Sequence, residues 1–170
     1  MRDIVVFGDP VLTKKAQMVT TFDADLTSLV AEMHQIMIKA HGVGLAAPQI
    51  GLSLAICIVD TTVGEDPDQL VILINPQVLE ASGIQKDEEG CLSFPDITTV
   101  VERPESVKIR AQNLAGSWIE MQAEGFLARA ILHEIDHLNG VLMTDRVSKL
   151  KREIIKKKVV KRQKAGTWHT

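Results

Sequence analysis

His133-Glu134-Ile135-Asp136-His137 places two histidines four residues apart, with a glutamate directly after the first. On a helix, side chains at that spacing leave from one face, about 40° apart around the axis. Both imidazoles can then hold one metal ion, and Glu134 can serve as general base toward a water that the ion activates. The bland alternative is a pair of solvated helix histidines. Ile131 and Ile135 argue against it, because they turn this helix into a core.

A catalytic metal needs a third protein ligand and an open position. In the extended pattern H-E-x-x-H-x-x-G-x-x-H the glycine is present as Gly140, but Met143 stands in place of the last histidine. Glu153 or Asp145 would serve as third ligand if the chain were a zinc endopeptidase, although Glu153 lies inside a Lys/Arg run that suits a surface ion pair. Cys91 is the better donor. It sits in the polar segment Glu89-Gly90-Cys91-Leu92-Ser93, a poor place for an idle thiol and a good one for a soft ligand. The other cysteine, Cys57, lies in an apolar run and reads as a small core residue.

The elements that must position these groups follow from pattern. Apolar residues recur at three- and four-residue steps over 23–40, which predicts an amphipathic helix with Gly42 just past its end. Three glycines and a proline within 42–51 exclude regular structure there and let a backbone approach closely. Residues 54–59 and 70–74 read as strands, the second stopped by Asn75-Pro76, and 78–81 as a further one. Alternation over 106–112 and 117–123 around the turn at 113–116 predicts a hairpin. Residues 124–138 read as the metal-binding helix, and Ser148 caps a last helix reaching about Lys164. Strands in the middle with helices at both ends give an α+β fold.

With 170 residues, the chain suits one domain with a core of its own. Residues 1–148 are expected to form the catalytic region, and 149–170 a basic C-terminal helix and tail of the same domain. No apolar run approaches the ~20 residues of a membrane span. The first residues resemble neither a signal peptide nor a transit peptide. The expectation is a cytoplasmic protein, with a processed organellar form also compatible. The net charge of −3 hides an asymmetry: nine Lys/Arg lie between Lys149 and Lys164 against one acid, Glu153. Two readings of that segment stay open, a solvated helix face and an electrostatic handle for an anionic partner such as RNA.

Taken in order, Gly42-Val43-Gly44-Leu45-Ala46-Ala47-Pro48-Gln49, Glu89-Gly90-Cys91-Leu92-Ser93 and His133-Glu134-Ile135-Asp136-His137 resemble the three motifs of the peptide deformylases. Asp9-Pro10-Val11-Leu12 and Leu138-Asn139-Gly140-Val141-Leu142 also look like that family. The resemblance implies small mixed or antiparallel sheets around a central metal-binding helix. The implied reaction is removal of the formyl group from the N-terminal formyl-methionine of newly made proteins, with formate as product. It implies one divalent metal held by Cys91, His133 and His137. Two imidazoles and a thiolate suit Fe²⁺, Zn²⁺, Ni²⁺ or Co²⁺; the resemblance favours Fe²⁺.

The same resemblance assigns further roles. Glu134 is expected to take a proton from the attacking water and deliver one to the leaving amine. Gln49 and the Leu92 backbone N–H are expected to stabilise the oxyanion. The peptide is expected to pair with the Val43 and Gly44 backbone in strand fashion. Val43, Phe126, Arg129 and Ala130 are expected to line the methionine pocket, the Arg129 stem at its rim and its head in water. Arg103 matches a family arginine in the substrate region, and Glu89 and Asp136 are candidates for orienting the ligands. Leu132, Phe94 and Asp96 depart from the common pattern. None is a proposed ligand or catalytic group, so they bear on pocket shape and peptide preference. The basic C-terminal helix is expected to dock on the ribosome, where substrates emerge.

Overall fold

The computed structural model describes residues 1–170. Asp23 opens the first helix, α1 (Ala24–Lys39), by accepting the Leu26 N–H at 3.0 Å. Leu26, Val30, Met33, Ile36 and Met37 form its buried stripe. The left-handed residue ending α1 is His41 (φ 55°) rather than Gly42, whose N–H closes back onto the Met37 carbonyl.

Five strands build the main antiparallel sheet: β1 (Gly44–Ala46), β2 (Ile56–Val59), β3 (Val71–Ser82), β6 (Ser106–Gln112) and β7 (Trp118–Glu124), in the order β1-β2-β3-β6-β7. A separate ribbon pairs β4 (Gln85–Gly90) with β5 (Thr98–Arg103). The metal-motif helix is α2 (Gly125–Leu138) and the basic helix is α3 (Lys149–Lys164), capped by Ser148.

The expected β6–β7 hairpin and all three expected helices are present. Three readings of the middle change. The glycine-rich segment is not irregular throughout: it holds β1 and a 3-10 turn (Ala47–Ile50), all buried, because its small side chains let it pass beneath the core. Asn75-Pro76 does not end a strand. β3 runs through it with a shift of register, and Asn75, at φ 52°, bonds through its side chain to both N–H and C=O of Val19. The β4–β5 ribbon has no counterpart in the expectations, since Gln85-Lys86-Asp87-Glu88-Glu89 carries no apolar alternation.

The core has three parts, and α2 lies at their centre. Its face bearing Ala128, Ile131 and Ile135 packs on β2, β3 and β6. A second cluster joins α1 to β1 and β2. A third joins Leu12, Phe94 and Val101 to Ile155 and Val159 of α3 and to Trp168. Burying each such large side chain is worth about 1.5–3 kcal/mol, so α3 is tied to the body on one face. Gly140 (φ 70°) ends α2, and a Cβ there would meet the Thr13 carbonyl oxygen at 2.7 Å. No helix is long and apolar enough to cross a membrane.

Candidate active site

Periodicity brings His133 and His137 to one face of α2, and the turn after β4 brings Cys91 against them. Sγ of Cys91 lies 3.3 Å from Nε2 of His137, which is 3.2 Å from Nε2 of His133. All three ligand atoms fall within 4.8 Å of one another. Tetrahedral coordination at 2.0–2.1 Å sets ligand nitrogens about 3.3–3.4 Å apart. The spacing therefore fits one first-row divalent ion.

Electrostatics support the same fit. Burial works against a charged His133, but hydrogen bonds to Cys91 and Glu89 and the negative charges of Cys91 and Glu134 hold its pKa well above the ordinary value. His137 is pushed well below, by burial and then by the charge on His133. Glu89 sets the geometry of the first ligand: its Oε1 lies 2.5 Å from His133 Nδ1. That contact assigns the ring proton to Nδ1 and leaves Nε2 free to bind metal.

Behind Glu89 lies a buried ion network. Arg103 donates to both Glu89 oxygens at 2.7 and 2.6 Å and to Asp136 at 2.9 Å. Arg129 donates to Glu89 at 2.8 Å and to the Val101 carbonyl at 3.0 Å. Arg146 grips both oxygens of Asp136. Burial would raise the Glu89 carboxyl, but Arg103 and His133 hold it well below the carboxylate range. Two expectations change here. Arg103 is 4% exposed and lies outside the cavity, because its guanidinium is used up between Glu89 and Asp136. The Arg129 head is not in water: the residue is 3% exposed and its charge is spent on Glu89. Arg146 escaped sequence reading altogether; nothing in its spacing from Asp136 marks the pair.

A cavity of about 340 Å³ opens on the metal cluster. Cys91, His133, Glu134, Val43, Gly44, Leu92, Phe126, Arg129 and Ala130 all line it, whereas Gln49 and His137 lie behind its wall. Phe94, Asp96, His41 and Thr98 also contribute, a set whose roles in the wall the sequence leaves unmarked apart from the two departures. Leu132, the third departure, lies on α2 itself, half-buried against the first core cluster.

Two strand margins face this cavity. β1 is an outer strand of the main sheet, and β4 has a partner only in β5. Val43, before β1, accepts from the Asp60 N–H at 2.8 Å, while its own N–H and that of Leu92 donate to no protein group. Gln49 gives its Nε2 to Ser93 Oγ at 3.2 Å, with Cys91 Sγ at 3.6 Å, and its Oε1 accepts the Ala46 N–H at 2.9 Å.

Glu134 sits at the cavity with Oε2 buried and unpartnered. Burial pushes its carboxyl up to about 7, with the His133 charge opposing. A carboxylate so poised can accept and return a proton near neutrality.

An imidazole–thiolate metal cluster beside a carboxylate base, at the end of a groove walled by strand backbone, defines a metal-dependent amide hydrolase. The family model described as polypeptide deformylase matches residues 1–153. A peptide deformylase of Acidobacterium capsulatum is 49% identical over 168 residues, 99% of each chain. The crystal structure of a peptide deformylase from Legionella pneumophila superposes with a TM-score of 0.91 at 38% identity, covering 100% of this chain and 99% of that one. That from Thermotoga maritima gives 0.81 at 46% identity, covering 87% and 98%. The chain belongs to the polypeptide deformylase family. It removes the N-terminal formyl group from newly made proteins and is a metal-dependent hydrolase of that amide.

Proposed function

We propose that Cys91, His133 and His137 hold one divalent ion, Fe²⁺ in the working enzyme, and that Glu134 moves the protons. The observation that carries this reading is the buried, unpartnered Glu134 oxygen at the cavity beside three converging ligand atoms. The ion, when bound, makes water a stronger nucleophile and polarises the formyl carbonyl.

The remaining chemistry belongs to the chain. Glu134 takes a proton from water as its oxygen bonds to the formyl carbon. The carbonyl electrons move to oxygen, giving a tetrahedral oxyanion. The Leu92 N–H, which has no other acceptor, donates toward that charge, and the Gln49 amide joins it by turning one N–H away from Ser93 Oγ; such a donor is worth about 2.7–4 kcal/mol in a transition state. The C–N bond then breaks as Glu134 delivers its proton to the amine nitrogen; the remaining hydroxyl proton passes to the amine, giving an ammonium group, and formate leaves. Gln49 also holds the thiolate through its contact with Cys91.

The substrate chain lies in extended form between β1 and β4, where Val43 offers a free N–H and Gly44 a side-chain-free surface. Its methionine enters the lining formed by Val43, Phe126, Ala130 and the buried Arg129. Arg103 acts through Glu89 and Asp136 as a positioning residue. Residues 149–170 form one unit with 1–148 through the third core cluster. The outward flank of α3, bearing Lys156, Lys157 and Lys164, suits ribosomal RNA phosphates in the cytoplasm.

The test is formate release from formyl-Met-Ala-Ser by anaerobically prepared, Fe²⁺-loaded protein, against acetyl-Met-Ala-Ser. Release from the formyl peptide alone supports the assignment, and cleavage of internal peptide bonds contradicts it. Cys91→Ala should remove bound metal, whereas an endopeptidase site built on Glu153 or Asp145 would keep it.

A further inference from the structure

A second cleft, of about 570 Å³, lies on the far side of the turn that bounds the catalytic cavity. Asp96 and Ile97 line both. The opposite wall of this cleft is α3, through Lys158, Lys161, Arg162 and Ala165. Passing over Asp96 and Ile97 therefore leads from the metal cavity to the basic helix without leaving the surface.

The charges there are unevenly committed. Arg162 lies 3.6 Å from Asp96, donates to the Thr167 and Pro95 carbonyls, and stacks over Trp168. It locks the turn to α3 and offsets the one acid in the cleft. Lys158 and Lys161 are exposed and take part in no ion pair of the protein. Two free ammonium groups thus flank a partly apolar concavity at the mouth of the active site. Asp96 holds that mouth in a left-handed backbone (φ 58°), a conformation disfavoured for a non-glycine residue.

We propose that this flank of α3 is an extension of the substrate groove and selects formylated chains carrying acidic side chains downstream of the third residue. The proposal rests on the substrate reading above and adds a specificity determinant to it. A cavity of about 340 Å³ encloses the formyl-methionine end and little more. Later residues must leave over its rim, and an extended chain advances about 3.3 Å per residue. Carboxylates reaching the cleft meet Lys158 and Lys161, while their methylene groups pass over Ala165. The cleft shares Asp96 and Ile97 with the substrate cavity, which favours a continuing peptide as its occupant; the neighbouring lysines Lys156, Lys157 and Lys164 adjoin the cleft at Lys161 but share no lining residue with the cavity itself.

The experiment compares formyl-Met-Ala-Ser-Glu-Glu-Glu-Ala with the same peptide bearing Gln-Gln-Gln, on metal-loaded full-length protein at low salt. Each rate is referred to that on formyl-Met-Ala-Ser. The expected result is a KM about three- to tenfold lower for the Glu peptide, the range that two exposed ion pairs supply, at equal kcat. The difference should shrink at 0.5 M salt. It should vanish in Lys158→Ala/Lys161→Ala, persist in Lys158→Arg/Lys161→Arg and invert in Lys158→Glu/Lys161→Glu. Equal KM values in the unsubstituted protein, or a preference that survives both alanines, would overturn the proposal. So would inhibition by a short RNA that depends on these lysines without any Glu/Gln difference, which would assign the cleft to nucleic acid. Failure to release formate from the tripeptide would instead defeat the underlying substrate reading.

Discussion

A methyl group on Gly44 would overlap the Glu134 carboxylate, reaching its Cδ and Cγ within 2.9 Å. The glycine lies at the start of β1 with an ordinary backbone, so the constraint is steric rather than conformational. It explains in physical terms why a glycine stands where the sheet passes Glu134. Gly44→Ala should fold and bind metal normally, yet lose formate release by about 10²-fold through displacement of Glu134. Metal content and kcat/KM on the same preparation check this. Undiminished activity would mean that the Glu134 position seen here is not the working one.

Glu89 carries three obligations, to Arg103, Arg129 and His133. Glu89→Gln leaves the buried Arg129 without a counter-charge and Arg103 with Asp136 alone. Breaking such a buried pair costs about 3–5 kcal/mol. Loss of the His133 orienting bond should also weaken metal binding by about 10–100-fold. Denaturant unfolding and a competitive chelator titration measure the two effects separately.

Asp60 ends β2 and is fully buried, accepting from the Thr62 hydroxyl and N–H, the Gly64 N–H and His34. Burial raises its carboxyl, but these bonds more than offset that and hold it below the ordinary range. A depressed folded-state pKa gives stability that is fully present above the unfolded value of about 3.9 and is lost as pH falls through the folded value. Asp60→Asn turns one acceptor into a donor facing the Gly64 N–H, a cost of about 1–3 kcal/mol near neutral pH. The Tm difference between the two proteins should be constant from pH 6 to about 4 and narrow below that. A difference independent of pH down to complete unfolding would contradict the charged role.

Ile155, Val159 and Trp168 are buried against Leu12 and Phe94, so removing α3 would open the core rather than delete only a handle. Charge reversal on the outward flank, Lys156→Glu/Lys157→Glu/Lys164→Glu, is the cleaner perturbation. It should lower affinity for ribosomes by at least tenfold at 50 mM salt, and flatten the salt dependence, with tripeptide hydrolysis still measurable. Ribosome sedimentation reads both. Affinity and salt slope equal to the unsubstituted protein would reject this flank as the contact.

The site was more legible in the sequence than the fold around it. His133 and His137 share one helical face, and that face follows from spacing alone; Glu134 leaves the helix about 100° further round from His133. Cys91 stood out because a thiol is conspicuous in a polar turn. The burial of Arg103 and Arg129 is not legible, since a charged residue in a loop or on a helix gives no sign of a buried partner 14 or 40 positions away. The β4–β5 ribbon was hidden because Lys86, Asp87 and Glu88 are exposed and polar in succession, leaving no period-two signal. Asn75 was misleading for the opposite reason: Asn-Pro usually ends a strand, yet here the Asn75 side chain replaces the ladder by bonding Val19.

The central claim is that Glu134 moves the protons while three other residues hold the metal. Glu134→Gln isolates it, because the amide preserves shape and cannot accept the proton of water. With Fe²⁺ content matched to the unsubstituted protein, formate release from formyl-Met-Ala-Ser should fall by about 10²–10⁴-fold. A metal-replete Glu134→Gln protein that releases formate at the unsubstituted rate would contradict the account.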